Sequence, residues 1–342
     1  MKILLIGGTG TISTAITAKL HELGYDLTLL NRGSRNDNIP AGVEVITGDI
    51  NNEAEIANLL KDRTFDVVAD FIAFELPHVE RDFRLFASKT KQYIFISSAS
   101  AYQKPPVDAV ITESTPLSNP YWEYSRNKAI CEEWLMERFR EDGFPVTIIR
   151  PSHTYNNESV PVAVHGHHGS WQVLKRMLQG KPVIIPGDGS SLWTLTHNTD
   201  FAKGFIGLIG NSHAIGHAVH ITSDESLTWT QIHEMIATRL GVKLNPLYVT
   251  SEVIIQAGKK FGYDFEGALI GDKSCTVLFD NSKVKRLVPE YVATTRFDQG
   301  LAEAIPYVQS HPELQKEDLE FDAFCDEVAV TMKQVNDAFS QE

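Results

Sequence analysis

At 342 residues the chain exceeds what one hydrophobic core usually serves, so a large domain with an appended lobe is expected. Its apolar fraction of 42% and charged fraction of 22% are those of a soluble globular protein, and a net charge of −13 without a basic run argues against a nucleic-acid partner. Cys131, Cys275 and Cys325 give neither a disulfide framework nor a metal-ligand spacing, the apolar start is too short for a signal peptide, and nothing approaches the roughly 18 apolar residues of a membrane span, so a cytoplasmic protein is expected.

Lys2–Ile6 is a continuous apolar run that meets Gly7-Gly8-Thr9-Gly10-Thr11-Ile12-Ser13 at once. Ile12, Ala15, Ile16, Leu20 and Leu23 then repeat with helical spacing until Gly24. The segment therefore reads as strand, glycine turn and helix. Glycine at 7 permits the tight turn, and glycine at 10 lets a pyrophosphate approach the helix N-terminus. Gly7, Thr9, Gly10, Thr11 and Ile12 are the expected cofactor contacts, although an ordinary tight strand–helix turn would read the same way. Ser13 stands where a third glycine would serve close helix packing, and it is small enough to be tolerated.

The second strand, Asp26–Leu30, runs into Asn31-Arg32-Gly33-Ser34-Arg35. An acidic residue here would bind the ribose 2′-hydroxyl of NAD, whereas arginine binds a 2′-phosphate in a charge-assisted way. Arg32 and Arg35 thus point to NADP(H) over NAD(H); the alternative leaves both as solvated charges with Asn31 serving NAD. A third strand, Val43–Thr47, leads to Gly48-Asp49-Ile50, where Asp49 and Ile50 are placed to meet an adenine. Helix Glu53–Leu60, strand Phe65–Phe71, helix Pro77–Ser88 and strand Gln92–Ser97 follow. This alternation predicts a doubly wound parallel α/β sheet of the Rossmann type.

The fifth strand delivers Ser98-Ala99-Ser100-Ala101-Tyr102, and Tyr124-Ser125-Arg126-Asn127-Lys128 comes later on a helix. A tyrosine and a lysine four residues apart share a helix face. The ammonium favours the phenolate, which lowers the phenol's pKa and lets it trade a proton near neutral pH. A plain amphipathic helix with a snorkelling lysine has the same spacing.

Taken in order, Gly7-Gly8-Thr9-Gly10, Gly48-Asp49-Ile50, Ser97–Tyr102, Tyr124-x-x-x-Lys128, Arg150-Pro151, Gly187-Asp188-Gly189, His197 to Asp200 and Asp280–Lys283 resemble the extended short-chain dehydrogenase/reductase family. It is also called the NAD(P)-dependent epimerase/dehydratase family. The resemblance implies that Ser98 orients the substrate, that Tyr124 is the acid/base, and that Lys128 lowers its pKa and holds the nicotinamide ribose. Dehydratases of nucleotide sugars in this family carry an Asp-Glu pair after the serine or threonine, whereas here Ala99-Ser100 follows, which argues against a 4,6-dehydratase. Ser13 and the Asn31-Arg32-Gly33 end of the second strand are similar to an atypical branch that includes chloroplast stem-loop-binding proteins.

Strand Phe144–Arg150 closes the first half. Where the family lines its nicotinamide and substrate cleft, this chain has His153 and Tyr155, which join Ser100 as substrate candidates. His165, His167 and His168 read either as metal ligands or as a flexible loop over the pocket; with no Cys or carboxylate at ligand spacing, no metal is expected. Helix Ser170–Leu178 follows. Trp193 suits stacking on a base or sugar face, or burial in the core. A helix from Thr196 to near Gly210, with Asp200 to cap or anchor it, and a strand over Ala218–Ile221 are expected to return to the first sheet. Thr228–Leu240 is an amphipathic helix, and the acidic end 312–342 is helical.

The expected organisation is an NAD(P)-binding domain over residues 1–150, with 195–222 returning to it, and a smaller α/β substrate lobe over 151–342. The expected function is an NAD(P)-dependent oxidoreductase or epimerase acting on a sugar or nucleotide-sugar. The rivals are an RNA-binding protein of the stem-loop-binding type and an NADP-sensing regulator without turnover. Trp134, Leu135 and Phe139 on the Tyr–Lys helix fit either a homodimer face or inward packing.

Overall fold

The computed structural model describes residues 1–35 and 38–340; the last two positions of the expected terminal helix lie outside the described residues. In chain order the principal elements of the first half are β1 (Lys2–Ile6), α1 (Ser13–Glu22), β2 (Asp26–Asn31), β3 (Glu44–Thr47), α2 (Glu53–Leu59), β4 (Val67–Asp70), α3 (Leu76–Phe86), β5 (Tyr93–Ile96), α4 (Glu123–Asp142) and β6 (Val146–Pro151). After these come α5 (Trp171–Leu178), α6 (Asn198–Leu208), β7 (Ala218–Ile221), α7 (Trp229–Leu240), α8 (Ser251–Lys260), α9 (Phe297–Ser310) and α10 (Leu319–Phe339).

Seven strands form one sheet in the order β7-β6-β5-β4-β1-β2-β3, and every pairing is parallel. The order reverses beside β1, so the C-terminal ends of β1 and β4 border the crevice where open α/β sheets bind ligands. Both faces are covered, which is why the strands read as unbroken apolar runs. On one face Ile3 and Leu5 pack with Ile16 and Leu20 of α1 and with Phe201 and Phe205 of α6. On the other, Leu4 and Ile6 pack with Val79 and Phe86 of α3 and Leu135 of α4. Odd and even residues of β1 thus serve opposite layers, as the period of a strand requires.

The segment 198–221 lies on this sheet. Helix α6 covers α1, and β7 pairs with β6 in the register Ala218↔Ile148 to Ile221↔Pro151. The N-cap of α6 is His197, whose ring accepts from the Thr199 amide. Asp200 instead anchors the helix to the chain beyond, accepting from the Thr295 amide at 2.7 Å and pairing with Lys203.

The remaining chain builds a second core around Leu174, Trp229, Ile236, Ile254, Phe297, Phe321 and Phe324. Helix α7 starts on a capping box between Thr228 and Gln231 and ends on Gly241. Short strand pairs tie this core to the sheet side: His153–Tyr155 lies beside Leu195–His197, and Leu278–Phe279 beside Val110–Ile111. Among the described residues no helix is long and apolar enough to cross a membrane.

The three α4 residues read as a dimer face or as inward packing turn inward. Leu135 is fully buried, Trp134 meets Phe83 edge-on at 5.6 Å, and the Phe139 ring lies against Gly216.

Candidate active site

The glycine turn, the end of β2 and the loop after β3 enclose a cleft of about 400 Å³ lined by Gly7, Thr9, Gly10, Asn31, Arg32, Arg35 and Ile50, among others. Gly7 has φ +82°, and a side chain there would press a Cβ to 2.7 Å from Ile72 Cγ2. Both facts require glycine. Ser13 does more than stay small. Its hydroxyl donates to the Gly7 carbonyl at 2.6 Å and accepts from the Gly10 amide at 2.9 Å, so it stitches the turn to α1. The Gly10 amide is therefore occupied, and a pyrophosphate would meet the N-terminus of α1 at Thr11 and Ile12. Replacing Ser13 by glycine is expected to cost about 1–3 kcal/mol, from two lost hydrogen bonds and a looser first helical turn. Urea unfolding checks this, and an unchanged midpoint would refute the stitch.

Asn31 is 8% exposed; its Oδ1 accepts from the Gly8 amide at 3.1 Å, while its buried Nδ2 has no partner among the described residues. An orphaned donor in the wall of a glycine-lined cleft fits a ribose hydroxyl or phosphate oxygen. Arg32 and Arg35 line the outer rim and are exposed. Thr11 is exposed, with its carbonyl accepting from Asn198 Nδ2 at 3.0 Å, and Ile12 packs on the sheet core. Asp49 is exposed and accepts from the Asn51 amide at 3.0 Å; it is not among the cleft-lining residues, while Ile50 is.

At the C-terminal end of β5 the chain turns through Ser98 into a short helical turn, and a second cleft of about 280 Å³ opens. Ser98, Ser100, Tyr124, His153 and Trp193 all line it. Ser98 Oγ lies 2.8 Å from Ser100 Oγ, which accepts from Ser125 Oγ at 2.8 Å. Three hydroxyls thus link the strand end to the helix that carries Tyr124. Ser125 is the missed member. Its signal was its place beside Tyr124, which a spacing argument passes over because adjacent helix residues face different ways.

Lys128 is 1% exposed, and its Nζ donates to the carbonyls of Ala73 at 2.6 Å and Ile96 at 2.7 Å. Burial pushes the ammonium down to about 8. It lies 5.7 Å from the centre of the Tyr124 ring and closer to the rings of Phe74 and Phe95. The surroundings of the phenol act in the other direction. Burial raises the Tyr124 pKa, the neighbouring Ser98 hydroxyl only partly offsets it, and the Asp272 carboxylate adds to the rise. The lysine ammonium is spent on backbone carbonyls.

Of the other substrate candidates, His153 lines the cleft, and burial depresses its imidazole to about 3, helped by the positive charge of Lys273. It is neutral at working pH. Trp193 lines the cleft and stacks on Trp229 at 5.4 Å, so it is at once a wall and a core residue. Tyr155 is not in the site. It is 1% exposed in the second core, packed on Phe297 and His197 with its hydroxyl against Gly300. It shares a strand face with His153, but two residues of extended chain, about 7 Å, carry it past the cleft wall. The three histidines have separate duties. His167 stacks on Tyr263, His165 bonds the Gly166 carbonyl, and His168 bonds the Glu317 carbonyl. Among the described residues no group of three His, Cys, Asp or Glu side chains is placed to hold a metal.

A model of the NAD dependent epimerase/dehydratase family matches residues 3–222. The chain belongs to that family. Among its relatives, the 2′-dehydrokanamycin reductase of Streptomyces kanamyceticus is 23% identical over 252 residues, 74% of this chain and 70% of the relative. An uncharacterised UDP-glucose epimerase of Bacillus subtilis is 28% identical over 219 residues, and the matched region spans 64% of this chain and only 60% of that protein. A chloroplast stem-loop binding protein of 41 kDa from Arabidopsis thaliana is 25% identical over 284 residues, 77% of this chain and 70% of the relative. The fold is shared with UDP-glucuronic acid 4-epimerase from Bacillus cereus, solved with UDP-glucuronic acid and NAD, at a TM-score of 0.72 and 19% identity over 91% of this chain and 99% of that one.

Within this epimerase/dehydratase-family chain, two further cleft residues had no motif to announce them. Lys104 is buried beside Asp272, with Nζ and Oδ1 3.4 Å apart, and both line the cleft with Trp122, Val277 and Phe279. Lys104 lies in a loop and Asp272 in the short helical segment Leu269–Lys273, far apart in sequence, so only the fold brings them together.

Proposed function

We propose that the protein is an NAD(P)-dependent oxidoreductase or epimerase that moves hydride to or from a sugar or nucleotide-sugar carbon, with Tyr124 exchanging the proton of the reacting oxygen. The observation that carries this reading is the meeting of Tyr124 and Ser98 in one cleft at the C-terminal end of the sheet. When bound, the nicotinamide supplies or accepts the hydride. Gly7, Thr9, Asn31 and the start of α1 would hold the cofactor's phosphates and ribose, and Lys128 would meet the nicotinamide ribose. Ser98 binds the substrate oxygen, and Tyr124 gives it a proton. A phenol held above its usual pKa keeps that proton at neutral pH, which favours its use as the acid in carbonyl reduction.

The absence of carboxylates in Ala99-Ser100 supports hydride transfer over dehydration. The stem-loop-binding relative keeps RNA binding in view, but a net charge of −13 opposes it. A sensor without turnover would have no use for the Ser98–Tyr124 pair. The test is turnover of keto sugars followed by NADPH consumption, together with fluorescence titration of both reduced cofactors. Binding of neither cofactor would refute the reading.

We further propose a preference for NADP(H), supported by Arg32 and Arg35 at the rim of the cofactor cleft, where a 2′-phosphate would gain charge-assisted bonds. Exchanging both arginines for alanine is expected to weaken NADPH binding roughly tenfold or more while leaving NADH unchanged, since each such bond is worth about 1.5–3 kcal/mol at most. Equal weakening of both cofactors would place the arginines elsewhere on the nucleotide.

A further inference from the structure

The cleft that holds Tyr124 has an unusual charge inventory for a site in a family with nucleotide-sugar enzymes among its members. Among the described residues its one lining cation is Lys104, whose side chain is 2% exposed and already faces Asp272. The pair sums to zero. His153 adds no charge at working pH. Lys273 and Arg150, close in the chain to the lining residues Asp272 and Pro151, are committed elsewhere. Lys273 donates to the carbonyls of Ala163 at 2.9 Å and Val162 at 3.4 Å, and Arg150 is held in a buried fork by Glu132. The remaining walls are aromatic or apolar, from Trp122, Trp193, Val277 and Phe279.

A diphosphate brought against these walls would lose its hydration and find no free cation, a cost that grows steeply with burial. A sugar ring meets the opposite situation. Its apolar face suits an indole wall, and its hydroxyls need a donor and an acceptor side by side. Lys104 and Asp272 are such a pair, and they line the same cleft as Tyr124. The volume of about 280 Å³ lies just below the roughly 300–1,000 Å³ of small-molecule sites.

We infer that this cleft takes a sugar bearing no phosphate, whose hydroxyl or amino substituents next to the reacting carbon are read by Lys104 and Asp272. The inference rests on the reading that Tyr124 and Ser98 mark the reacting carbon, and it narrows the substrate to the unphosphorylated class. Lys104 and Asp272 then act as specificity residues that touch the substrate without exchanging the proton.

The test is binding to the cofactor-saturated protein, followed through the fluorescence of Trp122 and Trp193, with glucose, glucosamine, UDP and UDP-glucose as probes. Saturable binding of glucose or glucosamine is expected, with UDP and UDP-glucose at least tenfold weaker. Lys104→Met and Asp272→Asn are each expected to weaken the sugar tenfold or more while leaving NADPH affinity unchanged. UDP-glucose binding as tightly as the free sugars, or no saturable binding of either free sugar, overturns the inference. The wild-type comparison decides even if a variant fails to fold. Because binding is the readout, the result stands apart from the Tyr124 assignment, which turnover tests.

Discussion

Tyr124→Phe is expected to bind NADPH as the parent does and to lose turnover by about 10²–10⁴-fold, the usual contribution of a positioned acid or base. The phenylalanine ring keeps the contacts with Trp122 at 5.1 Å and Phe74 at 6.3 Å, so the helix and the cofactor side of the cleft stay in place. What disappears is the hydroxyl. Ser98 would still bind the substrate oxygen, but an aliphatic hydroxyl is too weak an acid to replace a phenol. The pH dependence follows from the two shifts in the free chain. Burial and Asp272 raise the phenol's pKa, so Tyr124 stays protonated as an acid well into the alkaline range. Lys128 is depressed to about 8, so it is charged below that pH and neutral above it. The parent's kcat/KM for carbonyl reduction is therefore expected to be flat near neutrality and to fall through about pH 8 as the ammonium is lost. Full activity in the phenylalanine variant would end Tyr124's role, and a fall already complete by neutral pH would contradict the raised phenol.

The parts of this site that local pattern can reveal are legible in the sequence. A strand, a glycine turn and an amphipathic helix are one contiguous signal, and Tyr124 with Lys128 is a spacing on a single helix. Ser100 and His153 lie near such signals and do line the cleft. The rest depends on long-range contacts. Lys104 belongs to a loop and Asp272 to a short helical segment, and neither carries a sequence pattern of its own. Ser13 shows a different limit: its size was legible, but the two bonds its hydroxyl makes across the turn were not. Tyr155 was misplaced because its neighbours in sequence line the cleft, while the strand carrying it runs into the second core. The partners of Lys128 were hidden for a related reason. Spacing put the two on one helix face, but it could not show that the carbonyls of Ala73 and Ile96 would claim the ammonium.

Arg81 is a charged residue that the fold makes a keystone. It sits mid-helix in α3 next to Asp82, and it is 5% exposed while Asp82 is fully buried. Its guanidinium bonds Asp82 Oδ1 at 2.8 and 2.9 Å, Asp70 Oδ2 at 3.1 Å and Asn51 Oδ1 at 2.7 Å. The Tyr93 hydroxyl donates to the other Asp82 oxygen at 2.6 Å. Arg81→Met would leave two buried carboxylates without their cation, and the expected loss is about 3–5 kcal/mol. The sign of its pH dependence is fixed by Asp70, whose carboxyl is raised by burial and by Asp82, with Arg81 opposing the rise. Removing Arg81 lifts the folded-state value further above the unfolded one. Stability from such a group is fully present below the unfolded pKa and is lost as pH rises through the folded pKa. The variant should therefore be nearer the parent at about pH 5 than at about pH 8, and urea unfolding at both values measures the gap. The damage should also reach the cofactor. Asp70 Oδ1 accepts from the Ile72 amide at 2.5 Å, and Ile72 lines the cofactor cleft against Gly7. A carboxyl that has become protonated, or has turned away, holds that amide less firmly, so NADPH affinity is expected to fall in the folded variant at pH 8. An equal stability loss at both pH values would instead mean that Arg81 matters only for the space it fills.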